Sequence, residues 1–428
     1  MCPLAFRVGR GGGVSRAAEV RVNGDRLWQS LMEMAEIGAT PGGGSSRLAL
    51  TALDKNARDL FVSWCRDAGF APRIDAMGNI FARRPGTDAE APPVLAGSHL
   101  DTQPLGGRFD GVFGVLAALE VLRTLDDLGI ETIAPLEATV WTDEEGCRFE
   151  TGMVASGVFA GKYKQDWALG VADPDGVTIG EALNAIGYAS SEPAYERPVA
   201  AYFEAHIEQG PILEASGTDI GVVLGAQARR CFRVSVKGEE GHAGTLPMER
   251  RRDALLGAAR MVDGLNAIAY RFQPRPVITV GDLTVSPNSR NTIAGGCVFI
   301  IDSRHPEDRT LDLIEGKMRG TCEDIADNDG LGLKIEVIDE SAAVVFDKGC
   351  VRAVRDAAKE LGLSHCNIHS GAAHDACNIA LLAPTGMIFV PCENGISHNE
   401  KENAKPEDLT NGADVLLQAM VKWANWRT

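Results

Sequence analysis

The sequence predicts an α/β protein in which a smaller domain is inserted into a larger one. Its 428 residues are enough for two or three domains of about 150 residues each. In the two outer parts of the chain, helical and strand patterns alternate, which is typical of an α/β sheet. The middle part instead has the order β-α-β-β-α-β of a ferredoxin-like domain. We therefore expect a larger domain with a mixed sheet flanked by helices, and a smaller inserted ferredoxin-like domain.

The elements of the larger domain follow from the spacing of apolar residues. One apolar helical face predicts a helix over 54–70, and an apolar run predicts a buried helix over 112–128 that ends at Gly129. Short apolar runs that lead into polar loops predict strands at 94–97, 136–141 and 387–390. Further helices are predicted at 351–361 and 409–426. Because α/β sheets carry their chemistry beyond the carboxyl ends of the strands, we expect the functional residues there.

The inserted domain is predicted from six consecutive elements. They are strand 231–236, helix 248–270, strands 277–285 and 297–303, helix 307–326 and strand 333–338. The resulting boundaries are 228–343 for the insertion, and 24–227 with 344–428 for the larger domain. Residues 1–23, which include the glycines at 11–13, are expected to form a flexible tail because glycine loses the most conformational entropy on ordering.

Composition excludes several classes of partner. Lys and Arg number 42 against 59 Asp and Glu, and the net charge of −17 argues against nucleic acid or an anionic membrane as the main partner. No apolar run approaches the roughly 18 residues of a membrane span. Residues 1–20 lack the apolar core of a secretory leader, and the 10 cysteines include no CxxC pair. We therefore expect a reduced, cytoplasmic protein.

Candidate metal ligands follow the predicted strands. His99 ends an apolar strand, and Asp101 is placed to accept the second N–H of its imidazole ring. Asp110 lies immediately before the buried helix. Two plainer interpretations stay open at this point: a histidine in a capped loop and an aspartate that caps a helix.

Adjacent carboxylates after the strand 136–141 are the strongest local indication of chemistry. In Asp143-Glu144-Glu145, one carboxylate can bind a metal while its neighbour transfers protons. A solvated acidic loop is the alternative interpretation of this stretch.

Two further histidines complete the candidate set. His206 shares a strand face with Glu204, and His398 follows the last predicted strand. Mixed histidine and carboxylate ligands suit Zn²⁺ or Mn²⁺, and a shared aspartate suits a hydrolase with two metal ions.

At these residues the sequence resembles the hydantoinase/carbamoylase group, the amidase branch of the di-metal aminoacylase and carboxypeptidase superfamily. The group includes N-carbamoyl-L-amino acid hydrolase, β-ureidopropionase and allantoate amidohydrolase. The resemblance extends from Arg47 to the end of the chain. The matching motifs occur in the order GSHLDTQPLGGRFDGVFGV, WTDEEGCRF, FEAHIEQGPILE, GHAGTLPM, NTIAGG, DSRHP, SGAAHDA and GISHNEKE.

The resemblance implies a pair of Zn²⁺ or Mn²⁺ ions that Asp110 bridges. Each ion would have two further ligands, His99 and His206 for one ion and Glu145 and His398 for the other. Glu144 would be the general base, and Asp101 would orient His99. The histidine at 206 favours the amidase branch, because the peptidase branches have a carboxylate there.

The resemblance also implies substrate contacts, mostly in the inserted domain. His242 would stabilise an oxyanion, Arg304 would bind a carboxylate with its guanidinium fork, and Asn291 would contact the substrate as well. Weaker candidates for substrate contact are Gln209, Gln227 and Gly371. A plain loop histidine at 242 and an ion pair of Arg304 with Asp302 or Glu307 are the alternatives. The chain departs from the usual family residues without loss of a ligand at Leu246, Ala294, Ala373 and Cys147.

We therefore expect metal-dependent hydrolysis of the carbamoyl C–N bond of an N-carbamoyl-L-amino acid or N-carbamoyl-β-alanine. The products would be the free amino acid, CO₂ and ammonia. An allantoate amidohydrolase is the main alternative, followed by a cysteine amidase built on Cys147 and by a non-catalytic binding protein. The inserted domain would serve as a lid and as the contact of a homodimer.

Overall fold

The computed structural model describes residues 20–194 and 197–425. Within them the chain divides into two compact units. The first unit contains the residues up to Leu224 together with those from Phe346 onward, and the second unit is Gly225–Val345. The predicted insertion, 228–343, lies inside the second unit.

The helices and strands alternate along most of the chain. The first part contains α1 (Gly24–Ala35), α2 (Ala52–Asp67), β1 (Pro72–Ile74), β2 (Ile80–Arg84), β3 (Val94–His99), α3 (Val112–Asp127), β4 (Leu136–Trp141), α4 (Val154–Phe159), α5 (Gln165–Leu169), α6 (Ile179–Ile186), β5 (Ala201–Ile207), α7 (Ile212–Ser216) and β6 (Ile220–Ala226). The middle contains β7 (Ala228–Lys237), β8 (Gly241–His242), α8 (Ala254–Ala269), β9 (Val277–Ser286), β10 (Thr292–Ile293), β11 (Gly296–His305), α9 (Asp308–Asp329), β12 (Gly332–Ser341) and β13 (Val344–Val345). The last part contains α10 (Lys348–Glu360), β14 (His365–Ser370), α11 (Asp375–Ile379), β15 (Thr385–Val390) and α12 (Pro406–Ala424).

A mixed sheet forms the centre of the first unit. Its strand order is β1-β2-β4-β3-β5-β15-β6-β13, and β14 also pairs with β6. The four central strands, β4, β3, β5 and β15, are parallel to one another, whereas β2 pairs with β4 and β6 pairs with β15 in antiparallel fashion. Every residue of β3, β4, β5 and β15 is buried, which explains why these strands are mostly apolar, although β4 also buries Glu137 and β5 buries Glu204 and His206.

Helix α3 packs against this sheet as the sequence predicts. Nearly all of its residues are buried, and the chain leaves it at Gly129, whose φ of 62° favours glycine. The helix begins after Gly111, which has a φ of 67°. This start places Asp110 at the carboxyl edge of the parallel strands.

The second unit contains the predicted ferredoxin-like arrangement. A four-stranded antiparallel sheet of order β12-β7-β11-β9 packs against α8 and α9, and β8 pairs with β10 in a short separate ribbon. Its core is formed by buried side chains from the sheet and both helices, among them Phe232, Met261, Phe299 and Met318.

Several predicted boundaries differ from those of the structure by a few residues, such as the helix predicted over 54–70, which ends at Asp67, and two of the differences have a clear physical reason. The helix predicted over 248–270 begins only at Ala254, because Asp253 accepts the N–H groups of Leu255 and Leu256 and so caps the helix there. In the predicted flexible tail, residues 1–19 lie outside the described residues, but Val20 and Val22 are buried and the Val22 N–H donates to Asp414. Residues 20–23 are therefore part of the packed unit.

The last helix ends at Ala424, and Trp426, its predicted end, lies outside the described residues. None of the helices in the described part of the chain combines the length and apolarity that a membrane span requires.

Candidate metal centre

Two histidines at the carboxyl edge of the sheet are held in a fixed orientation. His99 is the last residue of β3 and His206 lies near the end of β5, and both are almost fully buried. The Nδ1 atom of His99 lies 2.8 Å from the backbone oxygen of Asp101, and that of His206 lies 2.9 Å from the backbone oxygen of Ile207. Because a carbonyl oxygen only accepts, the proton of each ring is on Nδ1, and Nε2 offers a lone pair.

Asp110 faces two different groups of ligand atoms. Its Oδ1 atom lies 3.6 Å from His99 Nε2 and 3.2 Å from His206 Nε2. Its Oδ2 atom lies 3.5 Å from His398 Nε2, which in turn lies 3.6 Å from Glu145 Oε2. The structure thus brings together all five predicted ligands, in a histidine-rich group and a more open group around His398, which is half-exposed. We call them the first and the second ligand group.

Both groups fit divalent metal ions. In each group the ligand atoms lie within 4.8 Å of one another. Four ligands around a zinc ion, at about 2.1 Å from it, lie about 3.4 Å apart, which matches the separations above. Gly111 also leaves room beside the first group, because a Cβ atom at this position would lie 2.4 Å from His99 Nε2. Neutral imidazole and carboxylate are also the ligand types that such ions prefer.

The electrostatics of the carboxylates reflect their burial and their neighbours. Burial raises the pKa of Asp110, but the nearby imidazole rings of His206 and His99 outweigh it and hold this pKa well below its usual value. Burial, together with Asp110, raises the pKa of Glu145 to about 8. Burial also holds the pKa of Glu144 well above its usual value, with nearby carboxylates adding to the effect. A cation bound here would favour the ionised form of each carboxylate.

Glu144 lies beside the first ligand group. Its Oε2 atom is 3.6 Å from His99 Nε2, whereas its sequence neighbour Glu145 belongs to the second group. A carboxylate that lies next to a metal site without completing either group is placed to transfer protons.

Asp101 orients His99 with a different atom from the one predicted. The carboxylate of Asp101 is 3.9 Å from His99 Nδ1, and the backbone oxygen of Asp101 accepts the imidazole N–H instead. The carboxylate accepts the backbone N–H groups of Glu144 at 3.4 Å and Glu145 at 3.2 Å. The backbone around His99 decides this, because it brings the carbonyl closer to the ring than the side chain.

Four polar side chains outside the predicted ligand set contact the second group. Gln103 donates to Glu145 at 2.6 Å, and Gln209 and Ser397 each donate to Asp110 Oδ2 at 2.8 Å. Glu402 accepts the backbone N–H of Asp110 at 3.1 Å. Gln209 is a predicted substrate contact and here donates to Asp110. The other three were missed, although each lies in one of the matching motifs.

The candidate substrate residues of the second unit lie in two places. His242 on β8 pairs with Thr292 on β10, and the Ala243 N–H donates to the backbone oxygen of Asn291 at 3.0 Å. Arg304 on β11 places Nε and Nη2 at 2.8 and 3.2 Å from the carboxylate of Asp302. The β8–β10 ribbon therefore holds His242 close to Asn291. For Arg304, the structure contains the ion pair with Asp302 that the sequence left open as an alternative to substrate binding.

The remaining two substrate candidates lie in loops. Gln227 is half-buried between β6 and β7, and Gly371 is exposed directly after β14.

Cys147 lacks the properties of a nucleophile. Burial of its thiol, together with the carboxylates of Glu145 and Asp101, raises its pKa to about 12. The thiol is then protonated at neutral pH, whereas a nucleophilic cysteine needs the thiolate. This observation argues against a cysteine amidase.

Known proteins of similar sequence and structure carry the same architecture over nearly the whole chain. The N-carbamoyl-L-amino-acid amidohydrolase of Rhizobium meliloti is 47% identical over 404 residues, which cover 94% of this chain and 97% of that protein. The ureidoglycolate hydrolase of Arabidopsis thaliana is 33% identical, with coverage of 97% of this chain and 89% of that protein. A crystal structure of an amidase of the hydantoinase/carbamoylase family from Burkholderia multivorans superposes with a TM-score of 0.93 at 53% identity, and covers 96% of this chain and 100% of that chain.

The pattern of Peptidase family M20/M25/M40 matches residues 95–422, a range that includes all five predicted ligands. The resemblance that the motifs predicted is thereby confirmed. By its sequence, its fold and its clustered ligands, this chain belongs to Peptidase family M20/M25/M40 and, within it, to the hydantoinase/carbamoylase amidases.

Proposed function

We propose that this chain hydrolyses the carbamoyl C–N bond of N-carbamoyl-L-amino acids, releasing the free amino acid, CO₂ and ammonia. One observation carries the proposal: Asp110 turns its two oxygens toward two separate ligand groups, with Glu144 next to the first of them. The name of the relative that is 47% identical gives the substrate class.

The proposed cofactors are two Zn²⁺ or Mn²⁺ ions. Asp110 would bridge them, with His99 and His206 completing one site and Glu145 and His398 the other. When bound, such ions supply Lewis-acid chemistry, because they lower the pKa of water and polarise the carbonyl oxygen under attack.

Glu144 would transfer the proton of the reaction. It would accept a proton from water as the water oxygen bonds to the carbamoyl carbon. It would then return this proton to the nitrogen whose bond to that carbon breaks. Asp101 would support this role, because its carboxylate holds the backbone of Glu144 and Glu145.

We further propose that His242, Asn291 and Arg304 bind the substrate. Arg304 would exchange Asp302 for the carboxylate of the amino acid, since its guanidinium presents the same fork to either partner. His242 Nδ1 accepts the Gly244 N–H at 3.1 Å, so the ring proton lies on Nε2, where it can stabilise an oxyanion. Gln227 and Gly371 remain weaker candidates for substrate contact.

A homodimer and a cytoplasmic location are also part of the proposal. The nine cysteines of the described residues all carry free thiols, which is typical of a reducing compartment. The homodimer rests on the family resemblance.

The proposal is tested by steady-state kinetics on protein loaded with Zn²⁺ or Mn²⁺. The substrates are N-carbamoyl-L-amino acids, N-carbamoyl-β-alanine, allantoate and ureidoglycolate. We expect the highest kcat/KM with an N-carbamoyl-L-amino acid, loss of activity on exhaustive chelation and its return when metal is restored. The Cys147→Ala variant should keep its activity, because the thiol has no catalytic role. Activity that survives chelation would refute the proposal.

A ureide hydrolase is the second candidate function. The match to a protein named ureidoglycolate hydrolase covers 97% of this chain, so the same ligand arrangement is compatible with a ureide. A preference for allantoate or ureidoglycolate in the same kinetic comparison would select this candidate instead.

A further inference from the structure

Glu402 is a buried carboxylate without a role in the reaction above. It is 1% exposed and follows His398 by four residues. We propose that Glu402 is a positioning residue that holds the ligands of the second metal ion in place. The inference rests on the proposed metal sites and adds to them a residue that binds neither metal nor substrate.

One oxygen of Glu402 fixes the backbone that carries the bridging aspartate. Its Oε1 atom accepts the N–H of Phe109 at 2.9 Å and the N–H of Asp110 at 3.1 Å. Two hydrogen bonds to adjacent peptide groups restrain both the position and the rotation of this loop. Because the carboxylate is charged or strongly polar, such bonds are among the stronger ones in proteins.

The other oxygen of Glu402 reaches the loop of His398. Its Oε2 atom lies 3.0 Å from the hydroxyl oxygen of Ser397, and this hydroxyl donates to Asp110 Oδ2 at 2.8 Å. Ser397 directly precedes His398, the exposed ligand of the second group. Glu402 therefore joins two loops that each carry a ligand of the same proposed ion.

Gly107 provides the space for this arrangement. A Cβ atom on Gly107 would lie 1.9 Å from Glu402 Cδ and 2.0 Å from its Oε1. Any side chain at position 107 would displace the carboxylate from its present place. The space between the two loops is thus shaped around Glu402.

The two ligand groups differ in how much they need such support. His99 and His206 lie on central strands and are locked by hydrogen bonds from Nδ1 to backbone oxygens. His398 lies in a loop and is half-exposed. Because Asp110 belongs to both groups, loss of Glu402 should weaken both metal sites, but the second much more than the first, whose two histidines stay locked.

The experiment is a titration of metal-free protein with Mn²⁺, followed by isothermal titration calorimetry and electron paramagnetic resonance. Wild type should bind two ions. The Glu402→Ala variant should bind the second ion about 10- to 100-fold more weakly, as is typical when a residue that supports metal ligands is lost, and the first ion with a clearly smaller loss. Excess Mn²⁺ should restore its turnover.

Three variants separate positioning from a general loss of structure. Glu402→Gln should recover the second site, because its amide can still accept both backbone N–H groups and donate to Ser397. Gly107→Ala should weaken the same site without removing the carboxylate, and it decides the question if Glu402→Ala does not fold. Glu400→Ala is the matched control, since Glu400 accepts the Gly42 N–H, and it should bind both ions like wild type.

The outcomes distinguish this inference from the proposed function. If wild type binds two ions and Glu402→Ala binds both with wild-type affinity, or loses both equally, the positioning role is refuted alone. If wild type itself binds fewer than two ions, the proposed metal sites fail and the inference fails with them.

Discussion

At the scale of single residues, two adjacent glutamates serve different partners. Glu145 receives a hydrogen bond from Gln103 and faces His398, whereas Glu144 faces His99. The chain bends at both residues, and as a result one carboxylate reaches the second ligand group while the other lies beside the first. Two adjacent carboxylates can therefore have different roles at the same site, one in a ligand group and the other beside it.

The role of Glu144 can be tested by its isosteric amide. The Glu144→Gln variant should keep its fold and both metal ions but lose turnover by about 100- to 10,000-fold, the usual contribution of a general base. Kinetics on an N-carbamoyl-L-amino acid and metal analysis measure the two effects. Glu150→Gln is the matched control, because Glu150 is an exposed carboxylate of the same loop. A turnover near that of wild type would exclude Glu144 as the base.

At the scale of elements, the start of α3 depends on one glycine. Gly111 has a φ of 67° and lies where a Cβ atom would be 2.4 Å from His99 Nε2. Both the backbone conformation and the space thus require glycine between Asp110 and the helix.

The Gly111→Ala variant should therefore lose both stability and metal. We expect the free energy of unfolding to fall by about 1–3 kcal/mol from backbone strain alone, and the first metal site to weaken because His99 must move. Urea unfolding and metal titration measure these changes. The control is Gly316→Ala in α9, where nothing lies within 4 Å of the added Cβ and alanine favours the helix. Equal stability and metal affinity of the two variants would contradict the argument.

The turn between β1 and β2 contains a buried carboxylate whose ionisation opposes folding. Asp75 is 3% exposed and accepts N–H groups from Met77 and Asn79. Burial raises its pKa from 3.8 to about 6, which outweighs these hydrogen bonds. The folded protein therefore holds this proton more tightly than the unfolded chain does, and the contribution of Asp75 to stability falls as the pH rises through this range.

This effect predicts a pH-dependent difference between wild type and Asp75→Asn. Between pH values of about 4 and 6, the free energy of unfolding of wild type should fall relative to the variant by up to about 3 kcal/mol, since one pKa unit corresponds to about 1.4 kcal/mol. Above this range the difference should stay constant. Urea unfolding at successive pH values measures it. Parallel curves for wild type and Asp75→Asn would disprove the assignment.

At the scale of the whole molecule, the proposed metals connect distant parts of the first unit. The ligands extend from His99 to His398, and all five belong to this unit. Metal that binds only the folded state should stabilise it by about 4 kcal/mol at a concentration 1,000 times the Kd.

Chelation should therefore lower the unfolding temperature of the first unit and leave that of the second unit unchanged. Differential scanning calorimetry with and without chelator measures both transitions, and restored Zn²⁺ or Mn²⁺ should reverse the change. His398→Ala is the companion variant, which should retain only part of the stabilisation. An unfolding profile that does not respond to chelation would count against metal binding by the folded chain.

The sequence by itself determined most elements, the family and the five clustered ligands. Burial patterns such as the apolar run of α3 depend on neighbours within a few turns, and motifs such as GISHNEKE contain the candidate ligands, so both can be read along the chain. What only the tertiary structure decided is which atoms meet. The backbone oxygen of Asp101 rather than its carboxylate holds His99, and Glu402 reaches the backbone of Asp110 across 292 positions of sequence. Whether such a contact forms depends on atomic positions to within a few tenths of an ångström. These positions are set only when the chain has packed.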